Sequence, residues 1–244
     1  MKLIVNADDF GYSKAVNLGI LEAYKNGVVS STTLMTNMPG ADHAFEIAKE
    51  NPGLGVGIHL VLSCGGPVSN DVQSLIGDDG KFHHIDNVSK YAKPEDVRKE
   101  FEAQMEKFLA SGLTPTHIDS HHHVHGNEMV LQIVLELANK YDLPVRIFDK
   151  TSIQGKYSNI KAVDYFTGKF YGEDLTEKRF LEEVSVEDKE IMELMCHPAY
   201  LDKEILWGSS YNTQRVVELD ILTGPELKEK LNRRGIKLVN YKAL

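Results

Sequence analysis

Lys2-Leu3-Ile4-Val5-Asn6-Ala7-Asp8-Asp9-Phe10-Gly11 sets a short apolar run against two adjacent acids, and the fold is read outward from it. Residues 2–6 have the length and composition of a buried strand. Residues 13–24 carry apolar side chains at helical spacing behind Ser13, a candidate N-cap. The two carboxylates therefore fall in the turn at the C-terminal end of a first strand, where α/β folds place their chemistry. Neighbouring acids repel one another, so the pair costs stability unless a cation or a proton is shared there. Acids ahead of a helix also favour its positive end, and for an isolated Asp-Asp that is the plainer reading. Histidines further along the chain tip the balance toward a site.

The alternation continues. Residues 28–35 are β-branched and read as a second strand after the Asn26-Gly27 helix stop; residues 42–50 read as a short helix closed by Asn51-Pro52-Gly53. Residues 55–62 form a third strand. From about 63 to 93 periodicity is lost among Gly, Asp, Ser and His, which marks a functional loop, a lid or a contact to a second copy of the chain. Pro94 opens an amphipathic helix that Gly112 closes. Residues 116–120 are a fourth strand running into His121-His122-His123-Val124-His125, followed by a helix over 128–140 and a fifth strand over 143–147. The stretch 149–175 is the least regular, with a helix expected near 159–170 and another over 176–183. A late strand, 191–196, ends at His197-Pro198; helices near 210–220 and 225–234 and a last strand over 236–240 complete the chain.

Strand and helix in turn mean a parallel sheet covered by helices. Asp8, Asp9, His59, His121 to His125 and His197 all fall at or just past the C-terminal ends of different strands. A (β/α) barrel, closed or nearly so, gathers those ends on one rim more easily than an open sheet does. The expected architecture is thus a single α/β domain of parallel strands over residues 1–244.

With 27 basic against 36 acidic residues the net charge is -9, which argues against nucleic acid and anionic lipid as partners. No apolar run approaches the roughly 20 residues that span a bilayer, and the first strand begins at once, leaving no room for a signal peptide. Cys64 and Cys196 are too few and too far apart for a disulfide framework. A cytoplasmic location is expected. A homodimer is left open.

Histidines and aspartates without cysteine suit a divalent ion such as zinc, held by about three protein ligands with one position free. One ligand from each of three strands gives Asp9, His59 and His121, with His125 as the substitute for His121, since alternate strand residues face one way and Asp119 would lie behind them. Four histidines in five residues can equally form a plain polar loop, and His59 alone would pass for a hydrogen-bonded core residue. If the ion is there, Asp8 is the candidate base for a water, His197 the candidate acid for a leaving group, and Arg146 a partner that keeps Asp8 ionised. His197 could instead be a turn residue before Pro198, and Arg146 a surface ion pair.

Residues 5–13, 56–60 and 115–125, with Cys196-His197-Pro198, resemble the YdjC-like carbohydrate deacetylases, a group that includes chitooligosaccharide deacetylase. The resemblance runs from residue 2 to about 147 and resumes at 196–198. It implies an irregular, TIM-like barrel and a divalent metal, magnesium or zinc, on Asp9, His59 and His121, with Asp8 as base and His197 as acid. It also implies hydrolytic removal of an N-acetyl group from a small acetylated amino sugar such as N,N'-diacetylchitobiose. Phe10, Tyr12, Tyr200 and Trp207, the last in a stretch that reads as loop, are available to bind the sugar's apolar face. Two other readings stand beside this one: a metal-dependent phosphoesterase or amidohydrolase-like barrel, and a metal- or sugar-binding protein without turnover.

Overall fold

The longest strand lies in the middle of the sheet. In the computed structural model, which describes residues 1–244 apart from the side chain of Ser152, β1 (Lys2–Phe10) is buried from Leu3 onward. It is followed by α1 (Lys14–Lys25), whose N-terminus Ser13 caps by accepting the Val16 N–H, and β2 (Ser31–Leu34). Then come α2 (Ala41–Glu50), β3 (Gly55–Leu60), α3 (Ile85–Tyr91), α4 (Pro94–Ala110) and β4 (Ile118–Ser120). The second half holds α5 (Glu128–Tyr141), β5 (Tyr165–Thr167), α6 (Glu177–Glu183), β6 (Ile191–Cys196), α7 (Lys203–Gly208), α8 (Thr213–Leu222), α9 (Leu227–Arg233) and β7 (Lys237–Leu238).

Every pairing between these strands is parallel. The order is β4-β3-β2-β1-β6-β5, and β7 pairs with the start of β1. Parallel strands buried on both faces explain the near-continuous apolar runs of β1 and β6. The strand path has two ends, so the barrel is a parallel half-barrel wrapped by helices within one domain. A large core cluster runs through it, and a smaller one joins Ile4, Val163, Ile191 and Tyr241.

The structure differs from the sequence expectation at several places. Asp8 and Asp9 are strand residues, not turn residues. The expected fifth strand, 143–147, shrinks to one bridge, Ile118 to Val145; Pro144 has no N–H to extend a ladder. The expected helix near 159–170 is instead irregular chain and the three-residue β5, whose Tyr165-Phe166-Thr167 lies against β6. Residues 203–208 are helical rather than loop. The 63–93 segment contains α3 and a 3-10 turn, and buries Val72, Leu75 and Phe82. It is pinned to α4: the buried Glu100 carboxylate accepts the Val68 and Ser69 N–H groups at 2.9 Å each, and Asp96 accepts the Ser74 N–H at 2.9 Å.

Candidate active site

The end of β1 carries a bulge. Ala7 pairs with Thr32 and Phe10 with Leu34, so β1 spends one more residue than β2 over that interval. Asp9 takes up the excess with φ 70. A bulge re-aims side chains that alternation would send to opposite faces, and here Asp8 and Asp9 both come within reach of His59. Gly11 follows at φ 92, where an added Cβ would sit 2.9 Å from the Met35 carbonyl oxygen; no other residue fits that turn.

β3 and the end of β4 supply two imidazoles and their support. His59 and Asp119 are register partners on these neighbouring strands. His59 Nδ1 donates to Asp119 Oδ1 at 2.6 Å, which leaves Nε2 facing Asp9 Oδ1 at 3.4 Å. His121 follows β4 directly, with Nδ1 2.9 Å from the same Asp9 oxygen. The strand then stops. His122 and His123 adopt left-handed φ of 51 and 53, so residues 121–126 form a kinked 3-10 turn and strand alternation no longer applies. His125 is carried elsewhere: its Nδ1 meets the Ser120 hydroxyl and its ring stacks on Phe148 at 4.9 Å. Asp9, His59 and His121 are thus brought together, and the expected substitute, His125, is not among them.

These three residues suit a divalent cation. Their donor atoms lie within 4.8 Å of one another, all three side chains are buried, and the set of one carboxylate and two imidazoles is that of zinc or a similar ion. Asp119 fixes the His59 tautomer as metal-bound imidazoles require. A second grouping, Asp8, His59 and Asp119, also meets the distance condition, but Arg146 already supplies its positive charge. The guanidinium donates to both Asp8 oxygens at 2.7 Å and sits 2.9 Å from Asp119 Oδ2.

Electrostatics follow from the burial. Desolvation works against both aspartates, yet the Arg146 guanidinium holds Asp8 well below the usual carboxylate range, and Arg215 with His121 does the same for Asp9. Burial would depress His59, but Asp119 outweighs it and the imidazole is pushed up to about 10. Without a cation, a proton takes the positive charge at that position.

Arg146 is wholly buried and also donates through Nε to Glu193 at 2.9 Å; it is not a surface ion pair. His197, just past β6, donates its backbone N–H to Glu218, and its ring lies edge-on to Tyr171 and Tyr211 at 5.5 and 5.6 Å. It contributes to the field that holds Asp8 ionised.

Three of the charged residues here lay outside the sequence reading. Arg215 donates to Asp9 Oδ2 at 2.7 Å, Glu218 anchors His197, and Glu193 anchors Arg146. A signal existed. Glu193 interrupts the apolar Ile191-Met192-Glu193-Leu194-Met195-Cys196, and Arg215 and Glu218 share a helical face with the buried Leu219 and Leu222. Among the aromatics, Phe10 is wholly buried in the core and offers no ring face to a sugar; Tyr12 is buried too, its hydroxyl lying beneath Gly208 of α7. Tyr200 and Trp207 are exposed, Trp207 at 84%. Tyr171, which sequence reasoning passed over, is half-exposed beside His197 and stacks on Tyr211 at 4.0 Å.

Comparison with known proteins finds relatives over nearly the whole chain. A carbohydrate deacetylase of Brevibacillus brevis is 51% identical over 248 residues and covers 100% of both chains. A chitooligosaccharide deacetylase of Yersinia enterocolitica is 42% identical, covering 98% of this chain and 97% of its own. The crystal structure of a proposed cellobiose-phosphate cleavage protein from Enterococcus faecalis V583 superposes with a TM-score of 0.94 at 38% identity, covering 99% of this chain and 98% of that one. The profile of the YdjC-like proteins matches residues 2–233, and the chain belongs to that family.

Proposed function

We propose that this protein hydrolyses the acetamido group of a small N-acetylated amino sugar of the chitobiose type, releasing acetate and a free amine. The observation that carries the reading is the division of labour between two adjacent carboxylates. Asp9 faces His59 and His121, whereas Asp8 is clamped by Arg146 and left out of that donor set. The deacetylase names of the relatives support the same reading.

In this reading Asp9, His59 and His121 hold the cation, magnesium or zinc, with Arg215 fixing the second Asp9 oxygen. When bound, such an ion polarises a carbonyl oxygen and lowers the pKa of a coordinated water. Asp8 accepts the proton of the attacking water at a carboxylate oxygen. Arg146 keeps it ionised at neutral pH and aimed. His197 delivers a proton to the departing nitrogen; its backbone N–H donates to Glu218 and its ring packs edge-on to the two tyrosines. Tyr171, Tyr200 and Trp207 are exposed rings assigned in this reading to the sugar's apolar face. The two free thiols fit a reducing, cytoplasmic setting.

The test is acetate release from phosphorylated and unphosphorylated N-acetylated mono- and disaccharides, before chelation, after it, and after add-back of magnesium or zinc. Activity lost with chelator and restored by metal is expected. Phosphate release without acetate would make the chain a phosphoesterase, and binding without either product would make it a sugar-binding protein. Asp8→Asn should abolish turnover while metal content stays whole; loss of metal would reassign Asp8 as a ligand.

A further inference from the structure

The C-terminal end of the chain reaches under the site. Tyr241 lies in a 3-10 turn, Tyr241–Ala243, only 1% exposed. Its ring stacks on His117 at 3.6 Å with 7° between the planes, and packs with Ile4, Val163 and Ile191. Its hydroxyl donates to Glu193 Oε2. The other Glu193 oxygen accepts from Arg146 Nε at 2.9 Å and from Nη2 at 2.6 Å, and the same guanidinium grips both Asp8 oxygens at 2.7 Å. Tyr241, Glu193, Arg146 and Asp8 therefore form one unbroken line of hydrogen bonds, from the C-terminal turn to the carboxylate beside Asp9.

We propose that the Tyr241 hydroxyl is a positioning element for the deacetylation assigned above: it fixes Glu193, Glu193 fixes the Arg146 plane, and that plane sets the direction of the Asp8 carboxylate. The inference rests on that assignment, since only there does the aim of Asp8 matter. A buried carboxylate oxygen deprived of its donor is costly to leave unpaired, so without the hydroxyl Glu193 must rotate or take up a proton. Either change alters its hold on Arg146. Tight constellations are sensitive to such shifts, and a displacement of about 1 Å at the reacting groups can cost on the order of 100-fold in rate. Tyr241 touches neither substrate nor cation; its effect is transmitted.

The experiment compares the metal-loaded wild type with Tyr241→Phe, which keeps the ring stack and removes one oxygen. We expect kcat for acetate release to fall roughly tenfold, with KM and metal content unchanged, because the lost interaction acts at the transition state rather than in binding. Glu193→Gln should lose a similar factor. The double variant should be no worse than the poorer single, as residues acting as one unit are not additive. Val163→Ala loosens the packing around the Tyr241 ring without touching the polar line; it should lower the melting temperature and leave kcat alone. Wild-type kcat in Tyr241→Phe, losses that multiply in the double variant, or a kcat loss in Val163→Ala matching its stability loss would each overturn the proposal. A wild type that releases no acetate overturns the deacetylase assignment and this inference together, whereas failure confined to the variants overturns the inference alone.

Discussion

Asp119 shows how one buried carboxylate sets the state of a neighbour. It accepts from His59 Nδ1 at 2.6 Å and from the Thr33 hydroxyl at 2.9 Å, with no exposed surface. In Asp119→Asn the imidazole loses its charged partner, and metal affinity should drop about 10- to 100-fold; titration of the chelated protein with zinc measures it. The same pair gives a pH signature. His59 lies at about 10 in the metal-free protein against an ordinary value of 6.5, so its contribution to stability is whole below about 6.5 and disappears as pH rises through about 10. Asp8 and Asp9 are held below 3.8, and their contributions are present above that value and lost in acid. The chelated protein should therefore melt highest between about pH 4 and 6.5 and lose stability steadily toward pH 10. Thermal melts in chelator across that range check this, and a flat or rising trend above pH 6.5 removes the Asp119–His59 pair from the account.

At the scale of elements, the bulge in β1 does what a regular strand could not. Two adjacent residues face one site because Asp9 accepts a left-handed backbone and Gly11 follows with another. Gly11→Ala places a Cβ 2.9 Å from the Met35 carbonyl at φ 92 and should cost about 2 kcal/mol or more, read as a lower urea midpoint at unchanged slope. The bulge also explains what the sequence could and could not reveal. Apolar strands with an ordinary period were legible, and β6 runs over residues 191–196 as read. Asp8-Asp9 looked like a turn because two acids rarely continue a buried strand, and nothing in the residue types announces a bulge. The kink at His122 and His123 hid in the same way, so alternation wrongly grouped His121 with His125. β5 and α7 have three and six residues, too few for a period to emerge. Glu193, Arg215 and Glu218 were visible as charges on apolar faces, but their partners come from elements far away in the chain.

Across the whole molecule, charge is the quantity that remains open. Asp8, Asp9, Asp119, Glu193 and Glu218 are buried around the site against Arg146 and Arg215, up to three negative charges in excess if all are ionised. Buried charge must be compensated, by protons or by a cation. In the metal-free protein protonation of His59 supplies part of it, and burial raises the Glu193 carboxyl while Arg146 and the Tyr241 hydroxyl hold it down. A divalent ion bound by Asp9, His59 and His121 would bring two positive charges and displace the His59 proton, because the ligand must be neutral. Metal should thus bind more tightly as pH rises, and stabilise the fold most where the chelated protein is weakest. At a metal concentration 100 times Kd the gain is about 2.7 kcal/mol, which in a domain of this size shifts the melting temperature by several degrees. The shift should grow from pH 6 to pH 9 in the wild type and vanish in Asp9→Asn, which removes a ligand charge and leaves the Arg215 guanidinium to repel the ion. A metal-induced shift that survives in Asp9→Asn, or that shrinks as pH rises, would place the cation somewhere other than this rim.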